Sequence, residues 1–238
     1  MIAENVSEIR RKLAAACIRV GRHPSEVTLV AVSKTFPVEK IQEAALCGVT
    51  DIGENYVQEL LGKHEVLGSE VRWHFIGHLQ SNKVKHVAGW IHLIHSVEND
   101  HLAAEIDKRA AQLDRIIDVL IEVNTTGEAS KYGVRPEKTV QFINHLAFLK
   151  HIRVAGLMTM GPFLPDPEAS RPMFRTLRQL RDEVGSLDQK NVDMRHLSMG
   201  MTGDYQVAVE EGATLVRIGT AIFGARKQPV SSSKETYT

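Results

Sequence analysis

A (β/α)8 barrel, an α/β fold of the TIM type, is the architecture this sequence predicts, and three observations carry the prediction. Eight short runs rich in β-branched residues recur along the 238 residues, separated by longer stretches with helical apolar spacing, as parallel βαβ units require. Several of the longer stretches stop at glycine, the usual helix terminator. The first strand ends in Ser33-Lys34-Thr35 rather than in a glycine-rich phosphate loop. A doubly wound open sheet fits the same alternation but more often carries such a loop there.

The elements follow in order. A leading helix over 6–21, "VSEIRRKLAAACIRVG", ends at Gly21. Strand candidates are "TLVAVSK" (28–34), "DIGENY" (51–56), "VRWHFIG" (71–77), "IHLIHSV" (91–97), "IIDVLIEVN" (116–124), "VAGLMTM" (154–160), "RHLSMG" (195–200) and "TLVRIGTAIFG" (214–224). Each is short, β-branched or aromatic, and bounded by turn residues. Between them lie helical stretches at 38–48, 56–68, 79–89, 100–113, 136–150, 168–185 and 203–213. Neither an internal repeat nor a linker interrupts them, so one domain over 1–226 is expected. The polar tail at 227–238, "KQPVSSSKETYT", is expected to be disordered.

Composition narrows the function classes. Lys+Arg and Asp+Glu stand at 29 each, which gives no support for broad contact with nucleic acid or anionic lipid. Hydrophobic residues make up 43%, enough for a core, and no apolar run approaches the roughly 18 residues of a membrane span. The acidic, helix-patterned N-terminus does not fit a secretory signal. Cys17 and Cys47 fall on predicted helices without metal-type spacing, as in a reduced cytoplasmic protein.

In such barrels the chemistry gathers at the C-terminal strand ends. Those ends carry Lys34, Gly53 to Tyr56, His74 to Gly77, Glu122 and Asn124, Met158 to Gly161, Ser198-Met199-Gly200, and Arg217 to Thr220. Lys34 shares strand parity with Val30 and Val32, which aims its amine into the barrel mouth if those two face inward. Desolvation there disfavours the ammonium and frees the amine to attack a carbonyl. A strand-end lysine snorkelling to solvent is the plainer reading.

The seventh and eighth strands each run into small residues and a helix, the usual place for a phosphate in this fold. Glycine turns and helix starts supply N–H groups there, and Ser198 and Thr220 supply hydroxyls. A phosphate at one end and a carbonyl at the other leave two ligand classes, a sugar phosphate on an aldolase-type lysine and pyridoxal 5′-phosphate (PLP). Arg217 bears on the choice: a guanidinium facing a pyridine nitrogen acts only as donor and keeps that nitrogen unprotonated. It could instead pair with an acid such as Glu122. Among the histidines, His74/His78 and His92/His95 raise a metal reading. His92 and His95 have opposite parity, His78 is expected to start a helix, and the first strand lacks a His-x-His pair, so the pairs are expected to converge poorly. No functional metal is expected.

The stretches "AVSKT", "GENYVQE", "WHFIGHLQSNK", "GLMTMG", "LSMGMTGD" and "VRIGTAIFGAR" resemble the pyridoxal phosphate homeostasis proteins over residues 31–226, in the same order. The fold of that family is similar to the barrel of the alanine racemase N-terminal domain, a fold type III PLP binder. The resemblance implies that Lys34 carries PLP as an internal aldimine (a Schiff base), that Ser198, Met199, Gly200, Gly219 and Thr220 contact the phosphate, and that Arg217 faces the pyridine nitrogen. It places Asn55 near the ring. His74 either lines the pocket or is a satisfied core histidine.

The racemases add a second domain that supplies an opposing base, and 238 residues leave no room for one. The implied role is therefore a cytoplasmic, monomeric carrier, buffer or regulator in vitamin B6 and amino-acid homeostasis, without robust turnover. Its implied partners are PLP, with amino acids and PLP-dependent apo-enzymes as further candidates, and neither nucleic acid nor membrane. The alternatives are a PLP-dependent enzyme with weak racemase-like activity and a Schiff-base aldolase on a sugar phosphate.

Overall fold

The computed structural model describes residues 1–128, 132–162, 164–187 and 189–225; the tail expected to be disordered at 227–238 lies outside them. Eight parallel strands close in chain order into a barrel: β1 Thr28–Val32, β2 Asp51–Glu54, β3 Arg72–Phe75, β4 Leu93–Val97, β5 Ile117–Glu122, β6 Ile152–Met158, β7 Val192–Ser198 and β8 Leu215–Ile218. The register running from Thr28 opposite Leu215 to Ala31 opposite Ile218 closes the last strand onto the first, which removes the open-sheet alternative.

Around the barrel lie α1 Ile2–Arg19, α2 Val38–Leu46, α3 Val57–Leu67, α4 Val84–Val87, α5 Asp100–Gln112, α6 Pro136–His145, α7 Arg171–Gly185, α8 Tyr205–Glu210 and α9 Thr220–Phe223. Helix α1 buries Ile2, Val6, Ile9, Leu13, Ala16 and Cys17, a stripe with steps of three and four. It packs against α8, α9 and α2, covering wall that the single turn of α9 is too short to cover.

Several elements differ from the sequence reading. Strand β1 stops at Val32, and Lys34 sits in the following turn. The stretch 214–224 divides at Gly219 into β8 and α9. Strands β6 and β7 begin earlier, at Ile152 and Val192. Residues 79–89 yield only a 3-10 turn, Ser81–Lys83, and the four residues of α4.

Alternation along the strands sorts the core into two parts. Leu29 and Ala31 join the outer core beneath the helices. Val30, Leu93, Leu120, Ala155, Met158 and Leu215 form an apolar cluster inside the barrel. Two residues beyond Leu93, Leu120 and Leu215 come His95, Glu122 and Arg217, so the same inward parity carries polar groups toward the mouth. At the opposite end, Arg72 grips Asp51 while Arg153 and Arg195 grip Asp118. The register between β6 and β7 shifts between Val154 and Gly156. Gly156 has φ +151°, and a Cβ there would lie 1.9 Å from the His196 carbonyl oxygen, so only glycine fits this approach.

Candidate functional site

The lysine that follows β1 stands on a turn that its surroundings over-determine. Ser33 is fully buried. Its N–H donates to the Gly53 carbonyl at 3.1 Å, its hydroxyl to Glu54 at 2.5 Å, and its carbonyl accepts from Lys63 Nζ at 2.9 Å. Lys63 also pairs with Glu54 at 2.6 Å and with Glu59 at 3.3 Å. Burial pushes the Glu54 carboxyl above the ordinary range, against the pull of the Lys63 ammonium. Thr35 takes φ +68°, a costly conformation for a β-branched residue, and donates its N–H to Glu59 at 2.7 Å. The Phe36 N–H closes the turn onto the Ser33 carbonyl at 3.0 Å.

Lys34, half-buried between these anchors, lines a cleft of about 260 Å³ at the C-terminal mouth of the barrel. Val32, Ile76 and Met160 give it apolar walls, and Asn55, Arg217, Thr202, Gly203, Gly219 and Thr220 give it polar ones. Asn55 Oδ1 is buried with no protein partner. Its backbone is held by close packing with Gly77, where a Cβ would lie 2.3 Å from the Asn55 carbonyl oxygen.

Two neighbouring turns meet over one side of the cleft. Thr220 donates to the Thr202 hydroxyl at 3.2 Å. The Thr202 turn is fixed by Asp204, whose carboxylate accepts from the Met201 N–H at 2.7 Å and from the Ser170 hydroxyl at 2.9 Å. Gly219 lets its turn approach β1, since a Cβ would lie 3.2 Å from the Val32 carbonyl oxygen.

Arg217 lies at the cleft floor with 3% of its surface exposed. Its Nη1 donates to Ser198 Oγ at 2.5 Å and its Nη2 to the Thr159 carbonyl at 2.8 Å. These take two of its five N–H donors. Burial lowers its pKa to about 10, which still leaves it cationic at neutral pH. It bonds Ser198 and Thr159 rather than Glu122; Glu122 and Asp204 act on it at longer range. Burial, with Glu98 nearby, raises the Glu122 carboxyl to about 7, against the pull of Arg217.

Lys34, Asn55, Arg217, Gly219 and Thr220 therefore converge, whereas Ser198, Met199 and Gly200 do not line the cleft. Strand β7 ends one layer below the mouth. Ser198 is buried inside the barrel, its hydroxyl engaged by Arg217 and His95. The Met199 side chain packs in the outer core, and its N–H is held by the Leu215 carbonyl. Gly200, at φ +92°, packs against α8 with a virtual Cβ 2.5 Å from Ala208. The chain reaches the rim only at Met201, Thr202 and Gly203. The adjacent hydroxyl and glycine of Thr202-Gly203, the same pair as Gly219-Thr220, is the sequence signal that locates this turn.

His74 is a satisfied core histidine, bonded to Asp51 at 2.9 Å and to His95 at 2.9 Å. The close histidine rings run across the two pairs: His74 lies 5.2 Å from His92 and 5.1 Å from His95. His78 sits in a loop, paired with Glu98 and stacked on Tyr132, rather than at a helix start. Asp51, His74 and His92 could bring ligand atoms within 4.8 Å of one another. The Asp51 carboxylate, however, is already gripped through both oxygens by Arg72. Among the described residues no helix is long and apolar enough to cross a membrane.

Residues 2–227 match the family described as alanine racemase, N-terminal domain. A pyridoxal phosphate homeostasis protein of Aquifex aeolicus is 48% identical over 225 residues, covering 94% of this chain and 98% of its own. Among solved structures, an unknown protein from Bifidobacterium adolescentis superposes with a TM-score of 0.89 at 36% identity, over 93% of this chain and 94% of its own. PipY of Synechococcus elongatus, solved with PLP bound, superposes with a TM-score of 0.81 at 31% identity, over 94% of this chain and 100% of its own.

Proposed function

This chain belongs to the alanine racemase N-terminal domain family, among the pyridoxal phosphate homeostasis proteins, and from that premise we propose that it binds PLP in the mouth cleft. It serves there as a carrier or buffer in intracellular PLP and amino-acid homeostasis. The observation that carries this reading is the meeting, in one cleft of about 260 Å³, of an amine, a buried guanidinium and two hydroxyl-glycine turns.

The donor set suits the group. The amine of Lys34 is the attachment point for its aldehyde carbon, and Arg217 presents donors to its ring nitrogen. Thr202, Gly203, Gly219 and Thr220 surround its phosphate. The Asn55 oxygen, buried without a protein partner, would be open to a donor from the bound group. Bound PLP supplies an electron sink at the amine-bearing carbon. A guanidinium does not give up its proton, so Arg217 keeps the ring nitrogen unprotonated and weakens that sink. This favours holding the cofactor over turning substrate over.

Within this reading the protein works as a cytoplasmic monomer, with both thiols, Cys17 and Cys47, free. Amino acids and apo-enzymes that need PLP are its further partners. Absorption near the visible edge on adding PLP, fixed by borohydride with the mass label on the Lys34 peptide, is the expected result. A label on another lysine, or none, refutes the attachment; trapping only with a sugar phosphate would indicate the aldolase instead. Rapid α-proton exchange of amino acids in deuterated water would refute the non-catalytic role.

A further inference from the structure

A line of buried polar groups crosses the barrel interior beneath the cleft. It runs from Arg217 through Ser198, His95 and His74 to Asp51 at the opposite rim. Ser198 and His95 are fully buried, and His74 and Asp51 are 1% and 2% exposed. The apolar cluster inside the barrel is made of Val30, Leu93, Leu120, Ala155, Met158 and Leu215. Polar groups in such a place are costly unless every donor and acceptor is matched.

The matching has one consistent direction. Asp51 is a carboxylate, held by Arg72 and kept well below the usual range by its hydrogen bonds to His74 and Arg72, against the opposing effect of burial. An acceptor-only partner obliges His74 Nε2 to carry the proton. The Ser198 hydroxyl fixes the other end: Arg217 can only donate to it, so its proton goes to His95 Nδ1, and a neutral His95 gives its Nε2–H to His74 Nδ1 at 2.9 Å. Full burial, with the Arg217 guanidinium nearby, keeps His95 neutral. Its Nδ1 is therefore an acceptor and takes the Ser198 hydroxyl proton at 2.9 Å. The Ser198 oxygen is left as an acceptor aimed at Arg217 Nη1–H. Every donor in the line points from the mouth toward Asp51.

We infer that His95 is a positioning residue for Arg217. Acting through the Ser198 hydroxyl, and backed by His74 and Asp51, it holds the guanidinium at the cleft floor. The inference rests on the PLP reading for what Arg217 faces, but the relay itself can be tested without cofactor. Nitrogen NMR of histidine-labelled, cofactor-free protein at neutral pH should show His95 neutral, with its proton on Nε2 and Nδ1 bare. A proton on His95 Nδ1 would overturn the direction of the relay.

Two substitutions then separate its ends. His95→Asn keeps an oxygen acceptor at the Nδ1 position facing Ser198, whereas His95→Gln keeps a donor toward His74 and loses the Ser198 partner. With PLP added, His95→Asn should keep the near-visible absorption band and the retention of the wild type. His95→Gln should shift the band and weaken retention about tenfold, the scale of one hydrogen bond to a charged group. Equal behaviour of the two variants, whether both intact or both impaired, would overturn the inference. Wild-type protein that takes up no PLP would instead refute the functional reading, while the NMR result would still decide the relay.

Discussion

Replacing Glu122 by glutamine tests the electrostatics of the barrel mouth directly. The side chain is 7% exposed, and burial together with Glu98 raises its pKa from the ordinary 4.5 to about 7. A carboxyl held above its unfolded value stabilises the fold while protonated. That contribution is lost as pH rises from about 4.5 to about 7, because over this interval the native state binds the proton more tightly than the unfolded chain. At about 1.4 kcal/mol per pH unit the loss amounts to about 3 kcal/mol. Glutamine has nearly the shape of the protonated acid and does not titrate. The stability of Glu122→Gln relative to wild type should therefore climb by about 3 kcal/mol between about pH 4 and about pH 8. For a chain of this length that corresponds to a relative gain of about 6–12 °C in melting temperature. Differential scanning calorimetry of the two cofactor-free proteins across that range reads the difference, and titrations common to both cancel. A difference that stays flat with pH, or falls as pH rises, would refute the assignment of Glu122 as a buried acid that is costly to ionise.

The remaining predictions concern the parts that hold the cleft. Lys63→Met strips the buried Glu54 carboxylate of its counter-ion and should cost about 3 kcal/mol in urea denaturation at neutral pH, with Glu54→Gln in the same chain recovering part of it. No loss on removing Lys63 would mean that Glu54 is already neutral. Gly77→Ala forces a methyl group against the Asn55 carbonyl and should lower stability by about 1–3 kcal/mol while weakening PLP retention. Unchanged retention would take Asn55 out of the binding wall. Thr202→Ala and Thr220→Ala should each weaken PLP retention by about three- to tenfold in equilibrium titration, and inorganic phosphate should compete less well in both.

How much was legible in the sequence depended on whether parity or the path of the chain governed the position. Strand alternation accounts for Arg217 in the cleft, because Leu215 and Arg217 stay in one regular strand up to Ile218. The seventh loop is governed by the path of the chain instead. Ser198 looked like a rim residue because a serine beside Met199-Gly200 resembles a phosphate turn, yet β7 ends a layer lower and the rim is reached three residues later. Shear and bulges set how far each strand rises, and the register shift between Val154 and Gly156 has no signature beyond a single glycine. Contact across the two histidine pairs was not legible for a related reason. His92 precedes β4 and His95 lies on it, yet the His74 ring on neighbouring β3 is 5.2 Å from one and 5.1 Å from the other.

The lysine turn shows why local rules give way where the site is built. A β-branched residue at φ +68° and a carboxylate in the core each oppose folding, and either alone would be expected to relax. They persist because they hold one another. The Thr35 N–H that the strained turn exposes is taken by Glu59, Glu59 shares Lys63 with Glu54, and Glu54 accepts the Ser33 hydroxyl. This circuit fixes the residues on both sides of Lys34 while leaving its side chain in the cleft. On the other side of the mouth, the relay from Asp51 to Ser198 does the same for Arg217. In both cases a charged group lining the cleft is steered by polar groups set behind it. The energetic cost of burying those groups is thereby spent on aim, where an apolar filling of the barrel would have given stability alone.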